Sequence, residues 1–234
     1  MPASLPTLDF DHIDAFQKLT ERERLMQFVI LGAGAFAQQI AWVVRRCGVD
    51  DVVAFVDETI ADRTSIGSIP VFRSLEDFEG EAARREYRLV AGIGNQRVRE
   101  RWFATYGATH TFATVIDPTV VVAENAVIGN DVVILGHSVC SIAANVADHV
   151  NINWHCLVSH DVHVGPYTNL ATGVRLTGRS RVGAHCEIGT NAVVLPDVVV
   201  GDNVTIGAGA VVTQDLPDHV TAVGVPARVV RANR

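Results

Sequence analysis

The second half of the chain carries a hydrophobic residue at every sixth position. The series consists of Ile116, Val122, Ile128, Ile134, Cys140, Val146, Ile152, Val158, Val164, Leu170, Leu176, Val182, Ile188, Val194, Val200, Ile206 and Val212. Sixteen of these seventeen residues are aliphatic, and the residue two places before each member is small or β-branched and uncharged. A helix repeats every 3.6 residues and a strand every two, so a period of six indicates neither alone.

Each six-residue unit predicts a short strand followed by a corner. Residues two apart on a strand face the same side, so each unit directs one large and one smaller residue inward. Three units would close one coil of 18 residues, and coils would stack about 4.8 Å apart as a parallel β-helix. Glycine follows the aliphatic residue at Gly129, Gly165, Gly183, Gly189, Gly201 and Gly207. We expect these glycines to supply unusual backbone angles at the corners.

Three apolar segments in the first half predict the strands of a separate α/β domain. The first runs into the turn Gly32–Gly34, the second ends at Asp57, and the third runs into the turn Gly92–Asn95. The segments after the two glycine turns have helical periodicity. This order predicts a small parallel sheet with a Rossmann-like fold over residues 27–113.

Glycine turns at the ends of parallel strands suit phosphate groups, because backbone N–H groups can approach the anion. The first turn lacks the third glycine of the pattern G-x-G-x-x-G, since Ala37 occupies that place. The departure disfavours a nicotinamide dinucleotide. A different phosphate-bearing ligand and a plain packing turn both remain open.

Composition and charge exclude several classes of partner. Hydrophobic residues make up 48% of the chain and charged residues 19%, which is typical of a globular protein. The formal net charge of −7 gives no electrostatic help in binding nucleic acid or an anionic membrane, so neither is expected. The N-terminal segment has acidic residues and no apolar signal region, so the cytoplasm is the expected location.

The remaining segments and the cysteines add little chemistry. We expect an amphipathic helix of unassigned function over residues 1–26, the β-helix over residues 114–213, and a tail over residues 214–234.

The cysteines are Cys47, Cys140, Cys156 and Cys186. Their spacing fits no zinc template, and three of them fall at inward positions, so buried thiols without disulfides or metal are expected.

The six-residue pattern resembles the hexapeptide-repeat acyltransferases, whose common tail motif is matched by GVPAR at Gly224–Arg228. The resemblance implies a left-handed β-helix, a homotrimer, and active sites in clefts between subunits. A Rossmann-like domain before such a repeat resembles the sialic-acid O-acetyltransferase family, which includes nucleotide-linked amino-sugar N-acetyltransferases of surface-glycan synthesis. The resemblance spans about residues 27–230. It implies acetyl-CoA as co-substrate and a sugar or nucleotide-sugar acceptor, a nucleotide-linked 4-amino sugar first and a sialic acid or other hydroxyl acceptor next.

His160 is the candidate catalytic base. It follows the inward residue Val158, so it should lie at a corner, and Asp161 could orient its ring. The family places its base in such a His-Glu or His-Asp pair. Gly178 follows His160 by one coil and should stack beside it, where its amide could stabilise an oxyanion, as the matching glycine does in relatives. A structural glycine is the alternative.

The resemblance also implies ligand-binding positions. For CoA these are Gly178, Thr190, Ala208 and Arg228, and for the acceptor they are Gly32, Gly34, Asp57, Gly94, Asn95 and Asn169. Two positions depart from the family: Phe36 and Asn169 each stand where relatives have a histidine. Asn169 can hydrogen-bond but cannot act as a base at neutral pH.

Two other functions remain open from the sequence. The left-handed β-helix also occurs in γ-class carbonic anhydrase, which binds zinc with histidines across a trimer interface. His155 and His160 have the four-residue gap of its zinc ligands, with His137 as a possible third ligand. A non-enzymatic trimeric scaffold is the other alternative. The histidine columns His137/His155 and His149/His185 are expected to be solvated corner residues.

Overall fold

The computed structural model describes residues 27–48, 51–59, 65–81 and 86–233. The helix predicted over residues 1–26 lies outside these described residues. The N-terminal domain consists of β1 (Gln27–Leu31), α1 (Ala35–Arg46), β2 (Asp51–Val56), β3 (Ser65–Ile66), β4 (Ile69–Phe72), α2 (Leu75–Glu81), β5 (Tyr87–Ala91) and α3 (Gln96–Tyr106).

The N-terminal sheet has the strand order β3-β4-β2-β1-β5, and its pairs are parallel except for the antiparallel pair β3–β4. The chain runs outward from β1 through β2 and β4 and then returns to the other side of β1 as β5. The strand order therefore reverses between β1 and β5, and ligands of such sheets bind at the carboxyl ends of the strands at that point. The predicted Rossmann-like domain is confirmed.

The repeat forms seventeen two-residue strands. They are β6 (Val115–Ile116), β7 (Val121–Val122), β8 (Val127–Ile128), β9 (Val133–Ile134), β10 (Val139–Cys140), β11 (Asn145–Val146), β12 (Asn151–Ile152), β13 (Leu157–Val158), β14 (His163–Val164), β15 (Asn169–Leu170), β16 (Arg175–Leu176), β17 (Arg181–Val182), β18 (Glu187–Ile188), β19 (Val193–Val194), β20 (Val199–Val200), β21 (Thr205–Ile206) and β22 (Val211–Val212). Every member of the six-residue series is the second residue of a strand.

The strands form three parallel sheets that make the three-sided prism of the predicted β-helix. We name the first face for the sheet that contains β6 and β9, the second face for β7 and β10, and the third face for β8 and β11. The first corner joins the first and second faces, the second corner joins the second and third, and the third corner joins the third and first. The series residues are buried from Ile134 to Val212, each contributing about 1.5–3 kcal/mol.

The glycines that follow the aliphatic residues do not have the predicted role. Left-handed backbone occurs instead two residues before the next strand, at the corners from Asp131 onward, for example at Asp161 (φ 58°) and Asn191 (φ 57°). A Cβ on Gly165 would lie 2.5 Å from the carbonyl carbon of Gly183 in the next coil. The prediction of unusual angles was wrong: these glycines are required because adjacent coils approach too closely for a side chain.

The predicted tail continues the prism. Strand β23 (Val220–Val223) pairs in parallel with β21 and extends the first face, and β24 (Arg228–Ala232) pairs antiparallel with β23. Inside the prism Cys140, Cys156 and Cys186 are buried, as predicted.

The N-terminal domain packs on the first face through α1. Ala37, Ile40 and Ala41 of this helix share an apolar cluster with Val133 and Leu135 of the β-helix. The outward positions of the first face are thus apolar in the early coils, where the helix covers them. In the part of the chain that the structure describes, no helix combines the length and apolarity needed to cross a membrane.

Candidate active site

His160 lies at the second corner with its side chain 49% exposed. Its Nδ1 atom is 2.9 Å from Oδ2 of Asp161. A protonated Nδ1 would donate to this carboxylate and leave the lone pair on Nε2 free to accept a proton. Because both side chains are exposed, the contact contributes more to the orientation of the ring than to stability.

Gly178 lies directly beneath the imidazole of His160. A Cβ on residue 178 would be 2.4 Å from Nε2 and 2.5 Å from Cε1 of His160, so no side chain fits there without displacing the ring. The Gly178 carbonyl accepts a hydrogen bond from the backbone N–H of Asp197 at 3.1 Å. Its own N–H meets no acceptor among the described residues. The structure thus brings His160, Asp161 and Gly178 together, as the spacing predicts.

The other predicted CoA residues lie along the first corner. Thr190 and Ala208 occupy matching places in consecutive coils, where the Thr190 carbonyl accepts from Gly209 N at 2.8 Å. The turn after Gly224 folds against the same end of the prism, and exposed Arg228 begins β24 there. These residues and Gly178 lie on different corners, which border the second face from opposite sides. A single chain therefore does not bring the four predicted CoA residues together.

The two glycine turns of the N-terminal domain touch at the carboxyl ends of β1 and β5. Gly32 has a φ of 98°, and a Cβ there would be 3.0 Å from the Gly92 carbonyl oxygen. A Cβ on Gly92 would be 2.5 Å from Cγ2 of Ile30. Gly34 has open space where its side chain would be. The turns are therefore packed at their base and open at their outer ends.

Asp57 supports the first turn. Its Oδ2 accepts from the Ala33 N–H at 2.9 Å, and its Oδ1 accepts from the N–H and hydroxyl of Thr59 at 2.9 and 2.6 Å. The predicted acceptor-binding residue thus lies beside the turn with both carboxylate oxygens engaged.

A cavity of about 340 Å³ opens between the second glycine turn and the first face. It is lined by Phe36, Gly94, Asn95, Asn151, Asn153, Asn169, Ala171 and Glu187. Three predicted acceptor residues, Gly94, Asn95 and Asn169, meet here, and Asn169 Nδ2 donates to the Gly94 carbonyl at 2.7 Å. Asn95 also caps α3, accepting from Val98 N at 3.2 Å.

Sequence reasoning missed Asn151, Asn153 and Glu187. Asn151, Asn169 and Glu187 are outward residues of β12, β15 and β18, which pair in register. The outward column of the first face changes from valine in β6 and β9 to these polar residues. The change from valine to polar residues at 18-residue spacing could have indicated a polar site on this face.

Arg99 was also missed, and it joins the two domains. It is 2% exposed, and its Nη1 donates to the carbonyls of Ile93 and Gly94 at 3.1 and 2.9 Å. Its Nη2 donates to the carbonyls of His149 and Tyr167 at 3.1 and 3.2 Å. Desolvation lowers the pKa of the guanidinium to about 10, so it stays charged at neutral pH.

The histidine columns differ from each other. His137 and His155 are exposed and stacked on the first corner, as predicted. The prediction of a solvated residue was wrong for His149, which is 5% exposed because α3 covers the third corner and places Phe103 against it. His149 Nδ1 is 3.0 Å from Oδ2 of buried Asp131.

A zinc site of the carbonic anhydrase kind would use His155 and His160. The structure places these residues on different corners. Among the described residues, no group of three histidine, cysteine or acidic side chains is arranged to hold a metal ion.

Comparisons with known proteins find similarity to one segment in each half of the chain. The PglD N-terminal domain family matches residues 27–106, and the bacterial transferase hexapeptide family (six repeats) matches residues 179–214. The acetyltransferase domain of PglB from Neisseria gonorrhoeae is 27% identical, with a TM-score of 0.81 over 87% of this chain and 99% of its own. The chain is therefore an acyltransferase, with segments similar to the PglD N-terminal domain and to the bacterial hexapeptide transferases.

Two further structures resemble the acyltransferase. PerB from Caulobacter crescentus, solved with CoA and GDP-perosamine, is 29% identical, with a TM-score of 0.67 over 88% of this chain and 97% of its own. WeeI from Acinetobacter baumannii is 24% identical, with a TM-score of 0.73 over 88% and 100%, and shows the shared fold. No curated protein sequence matches the acyltransferase. The predicted enzyme class is confirmed, whereas the carbonic anhydrase and scaffold alternatives gain no support.

Proposed function

We propose that the acyltransferase moves an acetyl group from acetyl-CoA to the amino group of a nucleotide-linked sugar. The main support for this proposal is the cavity between the outer end of the second glycine turn and the polar part of the first face. The turns suit a nucleotide diphosphate, and the cavity suits a sugar. The similar PerB structure holds CoA and GDP-perosamine, and the PglB domain has been solved with acetyl-CoA.

His160 is the proposed general base. The cavity lies on the first face, which the second corner does not border, so the acceptor nitrogen would meet His160 of a neighbouring subunit. Nε2 of that histidine takes a proton from the acceptor nitrogen as this atom attacks the thioester carbonyl, and the Gly178 N–H beside it stabilises the oxyanion. The carbon–sulfur bond then breaks, and His160 passes the proton to the leaving thiolate. Asp161 orients the ring and stabilises its charged form.

A covalent acyl-cysteine is not part of the proposal. Burial raises the pKa of Cys140 to about 12 and those of Cys156 and Cys186 to about 11. A buried thiol with a raised pKa is a poor nucleophile at neutral pH. Direct transfer needs only the groups at the second corner.

The proposed enzyme is a cytoplasmic homotrimer. The first corner of one subunit, with Thr190, Ala208 and Arg228, would face the second corner of its neighbour, so that CoA lies between them. Exposed apolar side chains border the second corner, as this arrangement requires: Val121 is 62% exposed, Ile142 61% and Val127 57%. Apolar patches of this kind are typical of subunit interfaces.

The test is incubation with acetyl-CoA and a panel of nucleotide-linked amino sugars, their hydroxyl counterparts and sialic acid. Thiol release and product mass are measured together. We expect release with at least one nucleotide-linked amino sugar. Acetylation of sialic acid or hydroxyl sugars alone would assign O-acetyl transfer instead, and no release with any acceptor would contradict the proposal.

A further inference from the structure

One part of the cavity wall, formed by Asn169 and Glu187, holds a buried hydrogen-bond acceptor without a partner beside a carboxylate. Asn169 is 7% exposed, and its Nδ2 donates to the Gly94 carbonyl at 2.7 Å and to Oε1 of Glu187 at 2.5 Å. Both neighbours accept hydrogen bonds, which fixes the orientation of the amide. The remaining atom, Oδ1, is a buried acceptor that has no partner among the described residues.

Glu187 is the single ionisable side chain among the residues that line the cavity. Its side chain remains exposed where it lines the cavity. Desolvation nevertheless raises the pKa of the carboxyl, while the hydrogen bond from Asn169 and the charge of Arg99 act in the opposite direction. A cation that bound at this carboxylate would favour its charged form and so offset the penalty of desolvation.

These features select for a ligand group with several donors and a positive charge. A protonated amine offers three N–H donors, whereas a hydroxyl offers one. A phosphate group brings only acceptors and negative charge, so it fits the glycine turns and not this wall. We infer that Asn169 and Glu187 form a specificity subsite that binds the amino group of the acceptor sugar in its ammonium form and discriminates against the corresponding hydroxyl sugar.

The inference rests on the proposed function and is compatible with its chemistry. The bound ammonium releases one proton to solvent before the nitrogen attacks. A second proton leaves the nitrogen to His160 of the neighbouring subunit in the proposed trimer as the carbon–nitrogen bond forms, and it passes to the thiolate when the carbon–sulfur bond breaks. The products are the amide, the free thiol of CoA and one solvated proton.

Calorimetric binding without acetyl-CoA tests the subsite apart from catalysis. The ligands are nucleotide-linked 4-amino sugars in their GDP, UDP and dTDP forms, the matched 4-hydroxy compounds, and the nucleoside diphosphates alone. The wild type should bind its preferred amino compound about tenfold or more tightly than the hydroxy compound, as a charge-assisted hydrogen bond allows. In Glu187→Gln, which keeps an acceptor for Asn169, this preference should fall to about twofold or less.

Glu100→Gln is the matched control, since it removes one exposed carboxylate from neighbouring α3 outside the cavity and should keep the preference. Asn169→Ala removes the unpartnered acceptor and should reduce the preference as well, with nucleoside diphosphate binding unchanged in every variant. An undiminished preference in Glu187→Gln would overturn the inference while leaving the proposed function intact. If no nucleotide sugar binds the wild type, the proposed function fails and the inference fails with it.

Discussion

Nε2 of His160 lies 2.4 Å from the point where a β-carbon on residue 178 would be. The imidazole can therefore occupy this position only because residue 178 has no side chain. The same contact leaves the Gly178 N–H close to the atom that is proposed to accept the proton. A base and an oxyanion donor are thus held on adjacent coils of one rigid corner.

Gly178→Ala should displace the imidazole and lower kcat by about 100-fold, because a shift of about 1 Å in a catalytic group has that effect. The backbone of Gly178 is not left-handed, so the fold should persist. Steady-state kinetics and a melting curve measure both effects. Gly80→Ala is the control, since a methyl group there meets open space. A Gly178→Ala enzyme with near-normal kcat would contradict the proposed arrangement.

His160→Ala should lose at least about 100-fold in kcat, because general-base catalysis contributes that much or more. The melting temperature should change little, since the side chain is half-exposed. His185→Asn, on the third corner, replaces a histidine outside the proposed site with a residue that tolerates its left-handed backbone. Unchanged turnover in His160→Ala would remove this residue from the mechanism.

Arg99→Met should lower the free energy of unfolding by about 3 kcal/mol, because four carbonyls lose a charged donor. Two of these carbonyls belong to the second glycine turn, so the KM for the acceptor should rise more than the KM for acetyl-CoA. Denaturant unfolding and kinetics with each substrate varied provide the measurements. Arg99→Lys retains the charge and should recover part of both losses. Equal changes in the two KM values would indicate a purely structural role.

Gly165→Ala should destabilise the β-helix by about 1–3 kcal/mol, the usual effect of overpacking, because the added methyl group would collide with the backbone of the next coil. Denaturant titration of this variant beside Gly80→Ala tests the coil-stacking role of the glycines. An unfolding free energy equal to that of the wild type would show that the coils can separate without cost.

The β-helix could be predicted from the sequence because each coil contacts only its neighbours, so the period alone determines which residues meet. His160 and Gly178 were placed together by that rule. The period aligns Glu187 with Asn169, but neither the cavity at Glu187 nor the burial of Arg99 could be predicted, because both depend on which face of the prism the N-terminal domain covers. His149 was misjudged for the same reason, since a corner residue is buried only when another domain packs on it. The positions of the stacking glycines could be read from the sequence, but their role could not, because the period does not give the distance between the backbones of adjacent coils.

The covering of the first face by α1 has a consequence for how this enzyme can change in length. The helix is anchored at the coil of Val133, and His160 belongs to a later coil. Inserting one coil between them would move His160, and with it Asn169 and Glu187 of the cavity, about 4.8 Å along the prism away from the glycine turns of the anchored domain. Coils added after Val212 would leave that spacing untouched. Growth of the repeat at the carboxyl-terminal end therefore keeps the base and the cavity in place and moves only the tail with Arg228, whereas the stretch between anchor and base has a fixed number of coils.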